Sequence, residues 1–152
     1  MAGIPDSVRV LVAEGHLAHL VTVNADGSPQ VSIVWVGVDG DELVSAHLHE
    51  AVKVKNLRRD PRAVISMESD VMQPNGLQEH LVAYCTTRVT EGGAAQLLQE
   101  LAHVYLGPDV RFRASTIRRP ATSCGSRSTA SAGSAPGQRD ARCAHWFALP
   151  AL

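Results

Sequence analysis

Residues 51 to 62 read AVKVKNLRRDPR and contain both lysines of the chain, Lys53 and Lys55, followed at once by Arg58, Arg59 and Arg62. Five of the 14 basic residues therefore crowd into one short stretch. Such a density suits an anion. The start of a helix offers unpaired N–H groups and the positive end of the helix dipole, and a lysine beside it adds a full charge, so phosphate is the natural guest. The same run also reads as a solvated basic face balanced by Glu50 and Asp60. Spacing alone leaves both readings open. The lysines follow directly on a strand-to-helix turn, whereas the three arginines lie later and suit surface or interface pairs.

Other residue types with chemical potential are sparser. His47 and His49 are two apart on a predicted strand and so share a face. Two imidazoles in that arrangement suit a metal or a heme, but the sequence offers no third ligand at metal spacing, and no metal is expected. Cys85, Cys124 and Cys143 are too widely spaced for a zinc site or a disulfide framework, and Cys85 falls in an apolar strand where a packed small hydrophobe is the simpler reading. His16, His19, His80 and His103 are dispersed and form no nucleophile–base set. Trp35, in SIVWVG, is either a core aromatic or a partner for a stacked ring.

These residues must be held by elements that the hydrophobic pattern defines. IPDSVRVLVAEG reads as an opening helix, with Pro5 at its start, Val8, Leu11 and Val12 on one stripe, and Gly15 as its stop. HLAHLVTVN, the turn ADGS and PQVSIVWVGV form a hairpin, and DGD leads into a third strand, ELVSAHLH. Ala51, Val54 and Leu57 mark a short helix that ends at Asp60-Pro61, because the residue before proline disfavours the α region. RAVISMES is a fourth strand, residues 70 to 78 a loop, and EHLVAYCTTRVT a fifth strand. EGGAAQLLQELAHVYLG closes the pattern as a helix with Ala95, Leu98, Leu101, Ala102 and Tyr105 on its apolar face. Strands and helices in this order predict a mainly β fold, a small antiparallel barrel with flanking helices.

The chain has 152 residues, 45% of them hydrophobic, which is single-domain size for a soluble globular protein. No apolar run reaches the length of a membrane span, and MAGIPDSVRV lacks a basic start followed by an apolar stretch, so a cytoplasmic location is expected. Charge is divided unevenly: residues 1–112 hold 8 basic and 14 acidic residues, and residues 113–152 hold 6 and 1. From Arg113 onward the hydrophobic period vanishes and Arg, Ser, Ala, Gly and Pro dominate until HWFALPAL. The expectation is a barrel domain over 1–112 and a low-complexity, disordered tail over 113–152. Six scattered arginines make a poor nucleic-acid arm, and neither nucleic acid nor membrane is expected as a partner.

The ordered set DGSPQVSIVWV, DGDELVSAH and KVKNLRRDPRAVISM resembles the pyridoxamine 5'-phosphate oxidase-like split-barrel family, and more narrowly its actinobacterial branch that uses the deazaflavin coenzyme F420. HLVAYCTTRVTEGGAAQLLQELAHVYLGPDVRF is similar to the same branch, so the likeness covers about residues 4 to 112. It implies a six-stranded antiparallel split β-barrel, FMN-binding-like, that forms a homodimer with the cofactor at the interface. It also implies an oxidoreductase that delivers hydride from F420 to a small organic acceptor. An FMN-dependent oxidase or reductase, or a non-catalytic flavin, deazaflavin or heme carrier, is the alternative on the same fold. By position, Gln30, Val31, Ser32, Ile33 and Trp35 match residues that line the ring and ribityl chain, and Ala46 and His47 match the end of the third strand. Lys53 matches the phosphate-binding lysine, and Lys55 a basic position beyond it. No catalytic residue is assigned. Two departures stand out: Ala51 and Val52 replace an arginine that usually precedes the phosphate lysine, and nothing after Arg113 resembles the family's last strand, which is therefore expected to be missing or altered. A reading-frame shift near codon 113 would account for the abrupt change in composition, a hypothesis that the alternative frames of the gene test.

Overall fold

The computed structural model describes residues 4–112 and three short strands of the tail, residues 123–125, 138–139 and 144–148. Helix α1 (Asp6–Ala13) buries Val8, Leu11 and Val12, the stripe its spacing predicts. Strands β1 (Ala18–Val23) and β2 (Pro29–Val34) pair antiparallel, with Val21 opposite Val31 and Thr22 opposite Gln30. The turn between them is fastened locally. Asn24 N–H donates to Ser28 O at 2.8 Å, and Asp26 Oδ1 accepts both the Ser28 amide and its hydroxyl, at 2.9 and 2.6 Å. Gly27 supplies the positive φ of 84° that the turn needs.

The predicted second strand, PQVSIVWVGV, is broken in two. It stops at Val34, and β3 (Gly37–Asp39) begins after a bend and pairs with β4 (Glu42–His47). The cause is a side chain from far along the chain: the Tyr105 hydroxyl accepts the Val36 N–H at 3.0 Å and so takes that donor out of a strand ladder, while its single hydrogen lies between His16 O at 3.0 Å and Val36 O at 3.1 Å.

Helix α2 (Val52–Arg59) follows, then β5 (Arg62–Met72) and β6 (Gln78–Glu91), a long hairpin in which Ile65 faces Ala83 and Ala63 faces Cys85. The predicted loop at 70–78 shrinks to 73–77, because the turn closed by Gln73 N–H to Leu77 O lets both strands run on. Helix α3 (Ala94–Tyr105) buries Ala94, Leu98, Leu101 and Ala102. It packs against β3 where Gly37 has no side chain; a Cβ there would meet Leu101 Cδ2 at 2.9 Å.

The tail contributes β7 (Ser123–Gly125), β8 (Gln138–Arg139) and β9 (Ala144–Ala148). Among the described residues the strand order is β2-β1-β5-β6-β9-β4-β3, with β7 and β8 attached to β6. The sheet does not close, and the architecture is a split barrel. Strand β9 lies between β6 and β4 and runs parallel to both. It ends at Ala148, before Pro150 would remove a ladder hydrogen bond. The expectation of disorder over residues 113–152 meets these three strands at 123–125, 138–139 and 144–148; the other tail residues, 113–122, 126–137, 140–143 and 149–152, lie outside the described residues.

One apolar cluster fills the barrel: Val8 and Leu11 from α1, Leu20 and Val34 from the first hairpin, Leu43 from β4, Leu57 from α2, and Ile65 and Leu81 from the second hairpin. A second, smaller cluster joins α3 to the end of β4, with Ala46, Ala94 and Leu98 at its centre and Trp35, Leu48, Leu97 and Phe112 packed around them. Cys85 is buried in the first cluster, as its apolar setting predicts.

Candidate functional site

The basic run divides sharply once the fold surrounds it. Arg58 reaches Glu50 at 3.4 Å and Glu91 at 2.8 Å. Arg62 pairs with Asp60 at 2.6 Å, and Arg59 donates to Asn56 Oδ1 and to the Val23 carbonyl. The three arginines are thus committed to the chain's own acceptors. Among the described residues neither Lys53 nor Lys55 forms a salt bridge. Lys53 stands half-buried in the first turn of α2, and burial pushes its pKa below the usual lysine value. No side chain caps that helix start, where Ala51 occupies the capping position. Lys55 is exposed and, two residues on, points to a different side of the helix.

His47, at the end of β4, is buried, and its pKa is lowered to about 3, first by burial and then by the charges of Lys53 and His49. The imidazole is neutral at pH 7 and close enough to feel the lysine. His49 is exposed, so the two histidines that share a strand parity in sequence do not share an environment. Strand β4 stops at His47, which releases His49 from the face. Among the described residues no group of three or more His, Cys, Asp or Glu could hold a metal ion.

Strand β2 presents two faces. Val31 and Ile33 are 57% and 53% exposed, and with Tyr84, 49% exposed, they flank an apolar sheet surface. The register runs Val31–Val21–Val64–Tyr84 in one row and Ile33–His19–Ser66–Val82 in the next. Gln30 and Ser32 turn the other way and enter a polar chain. Thr22 Oγ1 donates to Gln30 Oε1 at 2.8 Å, and Gln30 Nε2 donates to Ser32 Oγ at 2.8 Å. Asn56, only 3% exposed on α2, donates to Thr22 Oγ1 at 3.1 Å and ties the helix to the hairpin.

Trp35 lies in the bend after β2 and belongs to the cluster under α3 rather than to the exposed face. Its ring stacks on Tyr105 with centroids 5.3 Å apart and an interplanar angle of 15°, and meets Phe112 edge-on at 5.7 Å. Ala46 is in the same cluster. The structure therefore places His47 within electrostatic range of Lys53, links Gln30 and Ser32 to α2, sets Val31 and Ile33 on an open face, and gathers Trp35 and Ala46 beneath α3. Asn56 and Thr22 escaped the sequence reading, and Tyr105 is read there only as part of an apolar helix face, not for its hydroxyl. Asn56 lies inside the motif KVKNLRRDPR, but its partners are 32 and 34 residues away in the first hairpin.

A sequence profile of pyridoxamine 5'-phosphate oxidase matches residues 4–114. The chain belongs to that family. Among solved structures, this family member is similar to an F420 reductase, with 24% identity over 71% of this chain and 83% of the other, at a TM-score of 0.57. It also overlaps HutZ, the heme storage protein from Vibrio cholerae, at 17% identity over 65% of this chain and 75% of that one, with a TM-score of 0.48. Group A Streptococcus HupZ overlaps at 17% identity, 66% and 78% coverage and a TM-score of 0.46. The first of these likenesses describes the fold. No curated protein shows significant similarity to the chain. Among the described residues no helix is long and apolar enough to cross a membrane.

Proposed function

We propose that the chain is an oxidoreductase that binds the deazaflavin coenzyme F420 and transfers hydride between it and a small organic acceptor. The observation that carries this reading is the division of the basic run: the arginines are neutralised by the fold, while Lys53 stays without a carboxylate partner among the described residues, beside an uncapped helix start. A half-buried ammonium group in that position fits a phosphate. Lys55, exposed on the same helix, suits the acidic tail of the deazaflavin. The ring and ribityl chain are assigned to Gln30, Val31, Ser32 and Ile33 on β2, with Ala46 and His47 at the end of β4 and Trp35 behind them.

When bound, the deazaflavin supplies the redox chemistry, and the protein binds it, orients it and excludes water. The exposed Val31–Tyr84 and Ile33–Val82 rows supply the surface for a second copy of the chain. Pairing on that face removes apolar area from water, while the ring lies along the edge of the sheet at β2, within reach of Gln30 and Ser32 on its other side. The family membership and the similarity to a structure named as an F420 reductase fit this reading. Titration of the purified protein with F420 and with FMN, followed by fluorescence, tests it. Uptake of F420, with oxidation of the reduced cofactor on addition of an acceptor, is the expected result. Preference for FMN would replace the deazaflavin by a flavin, and a Soret band after heme addition without redox turnover would make the chain a carrier.

A further inference from the structure

A chain of hydrogen bonds runs from α2 to the first hairpin, and it begins at a guanidinium. Arg59 carries only donors, and both its terminal nitrogens lie 3.3 Å from Asn56 Oδ1. That fixes the Asn56 amide with its oxygen toward Arg59 and its nitrogen toward the hairpin. Nδ2 gives one hydrogen to Asn24 Oδ1 at 2.9 Å and the other to Thr22 Oγ1 at 3.1 Å.

Two branches leave Asn56 with their direction already set. In the first, Asn24 Nδ2 donates to Ser28 Oγ at 3.1 Å, and that hydroxyl donates to Asp26 Oδ1 at 2.6 Å. A carboxylate, which only accepts when ionised, ends this branch, and the Ser28 bonds hold its pKa below the usual carboxylate value. In the second, the Thr22 hydroxyl accepts from Asn56 at 3.1 Å and donates its one hydrogen to Gln30 Oε1 at 2.8 Å. Gln30 is left with its nitrogen on the far side, where it donates to Val31 O at 2.9 Å and to Ser32 Oγ at 2.8 Å. Ser32 Oγ accepts there, and its own hydrogen is given to no acceptor among the described residues.

We propose that Asn56 is a positioning residue which, through Thr22 and Gln30, fixes Ser32 as a hydrogen-bond donor toward an acceptor atom of the bound cofactor, a ring carbonyl or ring nitrogen. This inference rests on the reading that a cofactor lies along β2. The first branch shows the pattern in full, donor to carboxylate; in the second the cofactor takes the place of the carboxylate. Orientation matters because a Gln amide turned over would offer Ser32 an oxygen, and the serine would then spend its hydrogen inward.

Double-mutant cycles on the full chain test this. Ser32→Ala is expected to weaken binding of the cofactor about tenfold, the scale of one neutral hydrogen bond to a ligand. Thr22→Val, which removes only the hydroxyl, and Asn56→Asp, which keeps the acceptor for Arg59 but cannot donate to Thr22, should each weaken binding in the presence of Ser32 and add little in the Ser32→Ala background. Additive losses would overturn the positioning role, since a general loss of packing does not depend on Ser32. The Gln30 side-chain amide resonances of the unliganded protein give a second readout, independent of cofactor and of Asn56→Asp folding. They should shift in Thr22→Val, and unchanged resonances would overturn the relay itself. A wild-type protein that takes up neither F420 nor FMN, with the Gln30 resonances responding as expected, would overturn the cofactor end of the inference together with the functional reading while leaving the relay standing.

Discussion

Lowering the pH from 7 to 5 is expected to destabilise the fold through His47. Its imidazole has a pKa of about 3 in the folded chain against 6.5 for an unperturbed histidine, with burial as the main cause and Lys53 and His49 adding repulsion. Between those values the unfolded chain binds a proton that the folded chain refuses, so stability rises with pH and is lost as pH falls through 6.5 toward 3. At pH 5 the unfolded imidazole is nearly all protonated and the folded one is neutral. The gap of roughly 1.5 pH units, at about 1.4 kcal/mol each, costs about 2 kcal/mol. Hydrogen bonds from Ser28 and Arg62 hold the carboxyls of Asp26 and Asp60 below the usual carboxylate range, so their loss of stability on protonation falls below this window and does not cancel the effect. Urea unfolding at fixed protein concentration, followed by tryptophan fluorescence, should show a midpoint about 1 M lower at pH 5 than at pH 7, given a slope of roughly 2 kcal/mol per molar. His47→Gln removes the titrating group and should flatten that dependence. A His47→Gln protein with the same pH dependence as the wild type would refute the reasoning.

The lysine and the arginines should separate in binding. Lys53→Ala is expected to weaken cofactor binding by about 1.5 to 3 kcal/mol, the range for a charge-assisted hydrogen bond, and Arg62→Ala far less, measured by titration at two salt concentrations; equal losses, both abolished by salt, would indicate a diffuse basic surface. Tyr105→Phe leaves Val36 N–H without its acceptor and should cost about 1 to 3 kcal/mol of unfolding free energy while cofactor affinity holds, since the hydroxyl serves the bend at Val36 and the carbonyl of His16. If two copies pair on the open sheet face as proposed, Val31→Glu with Ile33→Lys should lower the sedimentation coefficient from that of a dimer to that of a monomer without loss of β-sheet signal by circular dichroism; an unchanged coefficient would refute pairing on that face.

The sequence by itself determined the elements whose signals are local. Val8, Leu11 and Val12 mark α1 because three- and four-residue spacing puts them on one helix stripe, and all three are buried. β-branched alternation around ADGS defines the first hairpin, and Asp60-Pro61 ends α2 because proline restricts the residue before it. Ordered motifs over residues 4 to 112 were enough to reach the family, whose profile matches residues 4–114. What only the tertiary structure decided is the set of partners supplied from far along the chain. Glu91, 33 residues from Arg58, turns part of a basic run into a closed pair and leaves the lysines distinct from the arginines. Tyr105, 69 residues from Val36, breaks a strand that alternation predicts as continuous. Asn56 reads as one more polar residue on a charged helix until Thr22 and Asn24 meet it in the interior. Periodicity reports which face a residue occupies, because that depends on backbone geometry within a few positions. Which donor meets which acceptor across that face depends on how separate elements dock, and no local pattern carries that information.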